Sequence, residues 1–131
     1  MGADDRYREG MRVRRKVLGD AHVDAAERNA TAFDAAFQRH ITESAWGGVW
    51  SRPHLDPGIR SLVTIAILGA LGHYEELEMH VRAARRTGAT PAQIAEALLH
   101  VAVYAGAPAA NRAFAAAKRA LDAEPTPETS R

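Results

Sequence analysis

Ile59–Gly88 reads IRSLVTIAILGALGHYEELEMHVRAARRTG, and its two halves decide the fold. The first half is apolar almost throughout: Leu62, Val63, Ile65, Ala66, Ile67, Leu68, Ala70 and Leu71. A helix that is greasy on every side belongs in a protein core or between subunits. Asp56-Pro57 supplies an N-cap with proline in the first turn, and Gly72 a stop. After Gly72-His73 polarity returns with Glu75, Glu76, Glu78, His80 and Arg82. Glu76 and His80 stand four residues apart, so one helical face carries both. A carboxylate that tunes an imidazole beside the most apolar helix is one reading of that pair. A solvated surface pair is the other.

The flanking chain reads as further helices. Residues 1–7 are polar and expected to be loose. Arg8 to Leu18 reads as an amphipathic helix closed by Gly19, with Arg12, Arg14, Arg15 and Lys16 on its wet side. Asp24 is a candidate cap for a second short piece, and His22 is either a loop histidine tied to backbone or part of a site. Thr31 is placed as the N-cap of the next helix, with Asp34 in its first turn. Phe33, Phe37, Ile41 and Ala45 recur at helical spacing and are expected as its buried stripe.

Trp46-Gly47-Gly48-Val49-Trp50 interrupts the helical pattern and reads as a loop. Trp50 is expected to plug the core, and Trp46 either does the same or walls a pocket. Arg60, in the first turn of the central helix, needs a partner if buried; a structural carboxylate and a substrate carboxylate are both open. Gly88 ends the Glu-His helix, and Thr90-Pro91-Ala92-Gln93 spells a capping box with proline at its first position. In the helix that follows, Glu96 and His100 repeat the E-x-x-x-H spacing, a warning that spacing alone does not assign chemistry. Tyr104, near its end, either offers a phenol to a cavity or fills space. A last alanine-rich helix runs from about Pro108 to Leu121. The predicted architecture is all-α: a flexible 1–7, one helical domain over 8–122 of about six or seven helices, and a disordered tail at 123–131.

Composition narrows the function classes. The 131 residues carry 17 Lys+Arg against 16 Asp+Glu, net +1, so nothing calls for nucleic acid. Cysteine is absent, which removes disulfides, zinc–thiolate sites and thiol catalysis. The Ile59–Leu71 run is too short to span a bilayer, and a cytoplasmic protein without membrane contact is expected.

RSLVTIAILGALG followed by EELEMHVRAARRTG resembles the carboxymuconolactone decarboxylase family. VRRKVLGDAHVDAA, AWGGVWSRPHLD and TPAQIAEALLHVAVYAGAPAA extend the likeness over most of the chain. The resemblance implies an AhpD-like helical fold in a homo-oligomer, a hexamer or another trimer-based ring. Arg86 stands where the family's turn is expected to hold asparagine, and the Cys-x-x-Cys pair of the AhpD-like peroxidases is missing. The implied activity is decarboxylation of a carboxylated muconolactone to β-ketoadipate enol-lactone in protocatechuate catabolism, with no cofactor and no metal. Within that resemblance His80 and Glu76 are the expected catalytic pair, and Arg60, Trp46 and Tyr104 the expected substrate contacts. A same-fold enzyme for another lactone or keto acid, and a non-catalytic helical module, are the alternatives.

Overall fold

The computed structural model describes residues 2–123. Among these there are seven α-helices, one π-helix and no strand, as the all-α reading expects. No helix among them is long and apolar enough to cross a membrane. The chain divides into two compact units, Met1–Leu55 and Asp56–Arg131.

The first unit holds α1 (Ala3–Leu18), α2 (Asp20–Asn29), α3 (Ala35–Ile41) and a π-helix (Thr42–Trp50). It departs most from the sequence reading. Helix α1 begins at Ala3, not Arg8, so most of the stretch expected to be loose is helical; Asp4 and Asp5 in its first turn suit the positive end of the helix dipole. Helix α2 starts at Asp20 directly after Gly19, whose φ of 92° turns the chain, so Asp24 is interior and not a cap. Thr31 caps no helix: Thr31–Asp34 is a turn, with the Asp34 carboxylate accepting from the Thr31 N–H at 2.8 Å.

The expected buried stripe also fails, because Phe33 is 98% exposed and Phe37 is exposed too. The Trp46–Trp50 segment is helical, not a loop. One of its glycines and one of α1 serve packing: a Cβ on Gly10 of α1 would lie 2.1 Å from the Thr42 carbonyl oxygen, and one on Gly47 would lie 2.4 Å from that of Arg6. Backbone meets backbone between α1 and the π-helix, and only glycine permits that approach. Trp46 is buried, and its ring centroid sits 5.1 Å from that of half-buried Trp50.

The second unit holds α4 (Pro57–Leu71), α5 (Tyr74–Thr87), α6 (Pro91–Tyr104) and α7 (Ala107–Asp122). Local signals set its boundaries as read. The Asp56 carboxylate accepts from the Ile59 N–H at 3.0 Å, and Thr90 and Gln93 make both bonds of the capping box. Gly72 takes φ 78°, letting the His73 N–H reach the Leu68 carbonyl at 2.9 Å and close the helix. Ile65, Leu77, Val81, Ile94, Leu98 and Val101 pack against Ala110, Ala113, Ala117 and Ala120 of α7. The tail beyond Ala123, expected to be disordered, lies outside the described residues.

Helix α4 is not buried all round. Ser61, Ile65 and Gly69 face the core, while Ile59, Val63, Ile67 and Leu71 are exposed in the single chain. Of the two homes the sequence allows for such a helix, this face is not in the chain's own core.

Gly10→Ala should destabilise the fold by about 1–3 kcal/mol through overpacking against Thr42. Gly48→Ala, whose Cβ meets nothing nearer than 3.4 Å, should cost much less in the same thermal melt. Equal losses would remove the close crossing as their cause.

Candidate active site

Helix α5 is amphipathic in a way that sorts its titratable groups. Leu77, His80, Val81, Ala83 and Ala84 are buried, whereas Glu75 and Glu76 stand in solvent near its start. His80 is 7% exposed. It is therefore an imidazole held on the apolar side of the helix, one turn from the exposed carboxylate of Glu76. Glu78 faces elsewhere: its carboxylate takes Arg119 at 3.0 Å and Arg82 at 3.8 Å, so it ties α5 to α7 and to itself. The second E-x-x-x-H pair differs in burial. Glu96 and His100 are both exposed, and His100 stacks on Tyr104 at 6.3 Å. Burial separates two pairs that spacing made equal.

The Ser61 and Thr87 hydroxyls are hydrogen-bonded at 2.7 Å, so the beginning of α4 faces the end of α5. Gly58, Ile59 and Leu62 share a cavity of about 380 Å³ with Thr87 and Gln93, which also puts the start of α6 there. At the other end, a Cβ on Gly69 would meet Leu77 and Val101 at 3.5 Å. Helices α4 and α6 thus run side by side in the same direction, with α5 antiparallel to α4. Arg60, half-buried in the first turn of α4, lies at the Thr87 end of this bundle. His80 is seven residues before Thr87, roughly 10 Å along the axis. Tyr104 lies past Val101 at the opposite end, and it is 84% exposed.

Within one chain, then, Arg60 and Tyr104 do not converge, and His80 sits between their levels. Trp46 belongs to the first unit, buried against Trp50. One charged residue escaped the sequence reading altogether. Arg14, placed on the wet side of α1, is only 8% exposed, while Arg12 and Lys16 beside it are exposed as expected. Only its heptad-like spacing from Gly10, Val13 and Val17 could have hinted at burial.

The chain belongs to the carboxymuconolactone decarboxylase family, whose pattern matches residues 35–119. It is 47% identical over 114 residues to a 4-carboxymuconolactone decarboxylase of Acinetobacter baylyi, covering 87% of this chain and 85% of that one. A nitrosuccinic acid decarboxylase of Metarhizium robertsii is 42% identical over 116 residues, covering 88% and 81%. A 4-carboxymuconolactone decarboxylase sequence of Pseudomonas putida matches at 49% over 47 residues, 36% of this chain and 98% of that one.

Proposed function

We propose that the chain is a carboxy-lyase that converts 4-carboxymuconolactone to β-ketoadipate enol-lactone and carbon dioxide, in the cytoplasm, as a step of aromatic catabolism. The likeness to the Acinetobacter enzyme over most of both chains carries the reading. The substrate's chemistry explains how side chains alone suffice. When the bond from the quaternary ring carbon to its carboxylate breaks, the electron pair runs through the ring double bond into the lactone carbonyl. The resulting furanolate is an aromatic-like anion. A proton then adds to the carbon next to the carbonyl, so one proton is taken up for each carbon dioxide released. The protein has to hold carboxylates, favour charge at the lactone oxygen and deliver that proton.

His80 is our candidate proton donor, and its burial beside apolar helices fits the task of handling one proton away from bulk water. Glu76, one turn away, is assigned the role of favouring the imidazolium. Arg60 suits a substrate carboxylate because a guanidinium forms a two-pronged bond to it. Tyr104 and Trp46 are assigned to the substrate surround. Nitrosuccinic acid is a second substrate reading, supported by the Metarhizium relative. There too a carboxylate leaves from a carbon whose electrons pass into a neighbouring acceptor, the nitro group.

The functional assay supplies each substrate in turn to protein dialysed against a chelator and identifies the product. Full turnover of 4-carboxymuconolactone, faster than that of nitrosuccinate, is the expected result. Activity that returns only with an added divalent ion would overturn the cofactor-free scheme.

His80→Ala should lower kcat by about 10²–10⁴-fold, the usual worth of general acid catalysis. Glu76→Gln should cost less, and Arg60→Ala should act mainly on KM. His100→Ala is the comparison that matters. If it abolishes turnover while folded His80→Ala stays active, the wrong E-x-x-x-H pair has been assigned.

We further propose that the working form is a homo-oligomer, with a hexamer or another trimer-based ring as its expected form. Two features support it. Ile59, Val63, Ile67 and Leu71 repeat every fourth residue along the exposed face of α4, with Leu99 and Val103 exposed on neighbouring α6. Contiguous apolar stripes of this kind mark association surfaces. In addition, Arg60 and Tyr104 lie at opposite ends of parallel helices, so a second copy would have to bring them to one substrate. Light scattering should report an oligomer for the wild type and a folded, smaller species for Val63→Glu/Ile67→Glu. A wild-type monomer at micromolar concentration would reject this assembly.

A further inference from the structure

Arg14 is a buried cation that the decarboxylation scheme does not use. One terminal nitrogen donates to the Thr42 hydroxyl at 3.1 Å and the other to the Gln38 side-chain oxygen at 3.2 Å. Both acceptors are neutral, and the Thr42 hydroxyl is itself committed as a donor to the Gln38 carbonyl at 2.9 Å. The Arg14 Nε–H is buried with no acceptor. Among the described residues no carboxylate stands within ion-pair distance of this guanidinium. Burial pulls its pKa down, and the more distant Glu27 only partly offsets that. A guanidinium out of water without an anion is costly, and its remaining N–H groups favour a partner that brings negative charge.

A cavity of about 270 Å³ opens beside Arg14, wholly within the first unit. At about 30 Å³ per water molecule it has room for roughly nine waters, or for a small organic molecule. Its walls describe the guest. Met11, Ala30, Ala35 and the ring of Tyr7 are apolar surface. The second arginine on the lining, Arg39, is already answered: it pairs with Asp4 at 2.9 Å and Glu43 at 3.0 Å and lies 4.6 Å over the Tyr7 ring. Glu27, exposed on the same lining, repels any second negative charge. Arg14, without an ion-pair partner among the described residues, lies at the buried end of a space lined by both polar and apolar groups.

We propose that this cavity is a binding site for a small organic monocarboxylate, its carboxylate on Arg14 and its short apolar body against Met11, Ala30 and Ala35. An inorganic anion would leave those walls unused, and a dicarboxylate would set its second charge against Glu27. The site is separate from the decarboxylase reading and is tested without turnover.

The experiment is calorimetric titration of the full-length protein with butyrate, with inorganic phosphate and succinate as comparators, in a buffer free of carboxylates. Saturable one-to-one binding of butyrate, with phosphate and succinate clearly weaker, is expected. Arg14→Gln should weaken it by at least about tenfold, the worth of a charged hydrogen bond. Glu27→Gln should tighten it about two- to fivefold by removing an exposed like charge, without lowering Tm. Because Glu27 is exposed, that variant keeps the test alive even if Arg14→Gln fails to fold. The proposal is overturned if butyrate does not bind, if phosphate binds as well as butyrate, or if Arg14→Gln binds like the wild type. It is equally overturned if Glu27→Gln both loses binding and melts lower, since Glu27 would then be the structural counter-ion of Arg14.

Discussion

The second unit depends on how closely its helices can approach α7. That helix meets its neighbours with Ala110, Ala113, Ala116, Ala117 and Ala120, all buried, in place of larger side chains. Alanine lets helix axes come together and gives up little side-chain entropy in doing so. Gly69 extends the same constraint to α4, because even a methyl group there would sit 3.3 Å from Ala113. The bulk of the core comes instead from Leu77, Val81, Ile94, Leu98 and Val101 on α5 and α6. Small residues on one side face branched residues on the other in one buried cluster. This packing fixes the rotation of α5, and with it which of its polar groups is enclosed. Leu77 and Val81 must point inward, so His80, adjacent on the helix, is carried in with them while Glu76 stays in water.

The same constraint explains why α4 is half exposed. A helix that docks through Ser61, Ile65 and Gly69 turns one narrow stripe to the core, with a single large side chain between two small residues. Its larger residues then occupy the opposite side. The apolar content of the helix was plain in the sequence, but the destination of each face was not. Periodicity reports a face only when polar residues mark the other one. Here both faces carry large apolar residues, Ile65 on one and Ile59, Val63, Ile67 and Leu71 on the other, so apolarity does not tell them apart.

Elements set by local chemistry were legible. Asp56 and Thr90 as caps, and Gly72 and Gly88 as left-handed terminators, act through bonds within a few residues, so the residues that make them also announce them. The first unit was read less well because its decisive contacts are long-range. Gly47 and Gly48 look like helix breakers beside the tryptophans. The constraint that Gly47 answers is Arg6, far away in sequence, against which no side chain fits. Phe33 and Phe37 repeat at core spacing, yet the turn at Thr31–Asp34 sets them outside. Arg14 shows the converse. It sits in a basic run, and only the side of α1 that meets the π-helix tells it from Arg12.

The candidate site raises the same question at the level of chemistry. Two E-x-x-x-H pairs, on α5 and α6, are indistinguishable as strings. They differ because α5 carries its histidine on its buried side, with Leu77, Val81 and Ala84, while α6 spends its buried side on Ile94, Leu98 and Val101. His100 is therefore left facing solvent with Tyr104, on the same outward surface as Leu99 and Val103. Exposure in a single chain does not make that pair idle. If this surface is covered by a second copy, His100 and Tyr104 become interface groups, and a phenol remote from Arg60 in its own chain gains a route to a substrate held by another. The buried histidine is then the fixed element of the proposed site, because its burial is already present in the single chain. Whatever Tyr104 contributes depends on assembly.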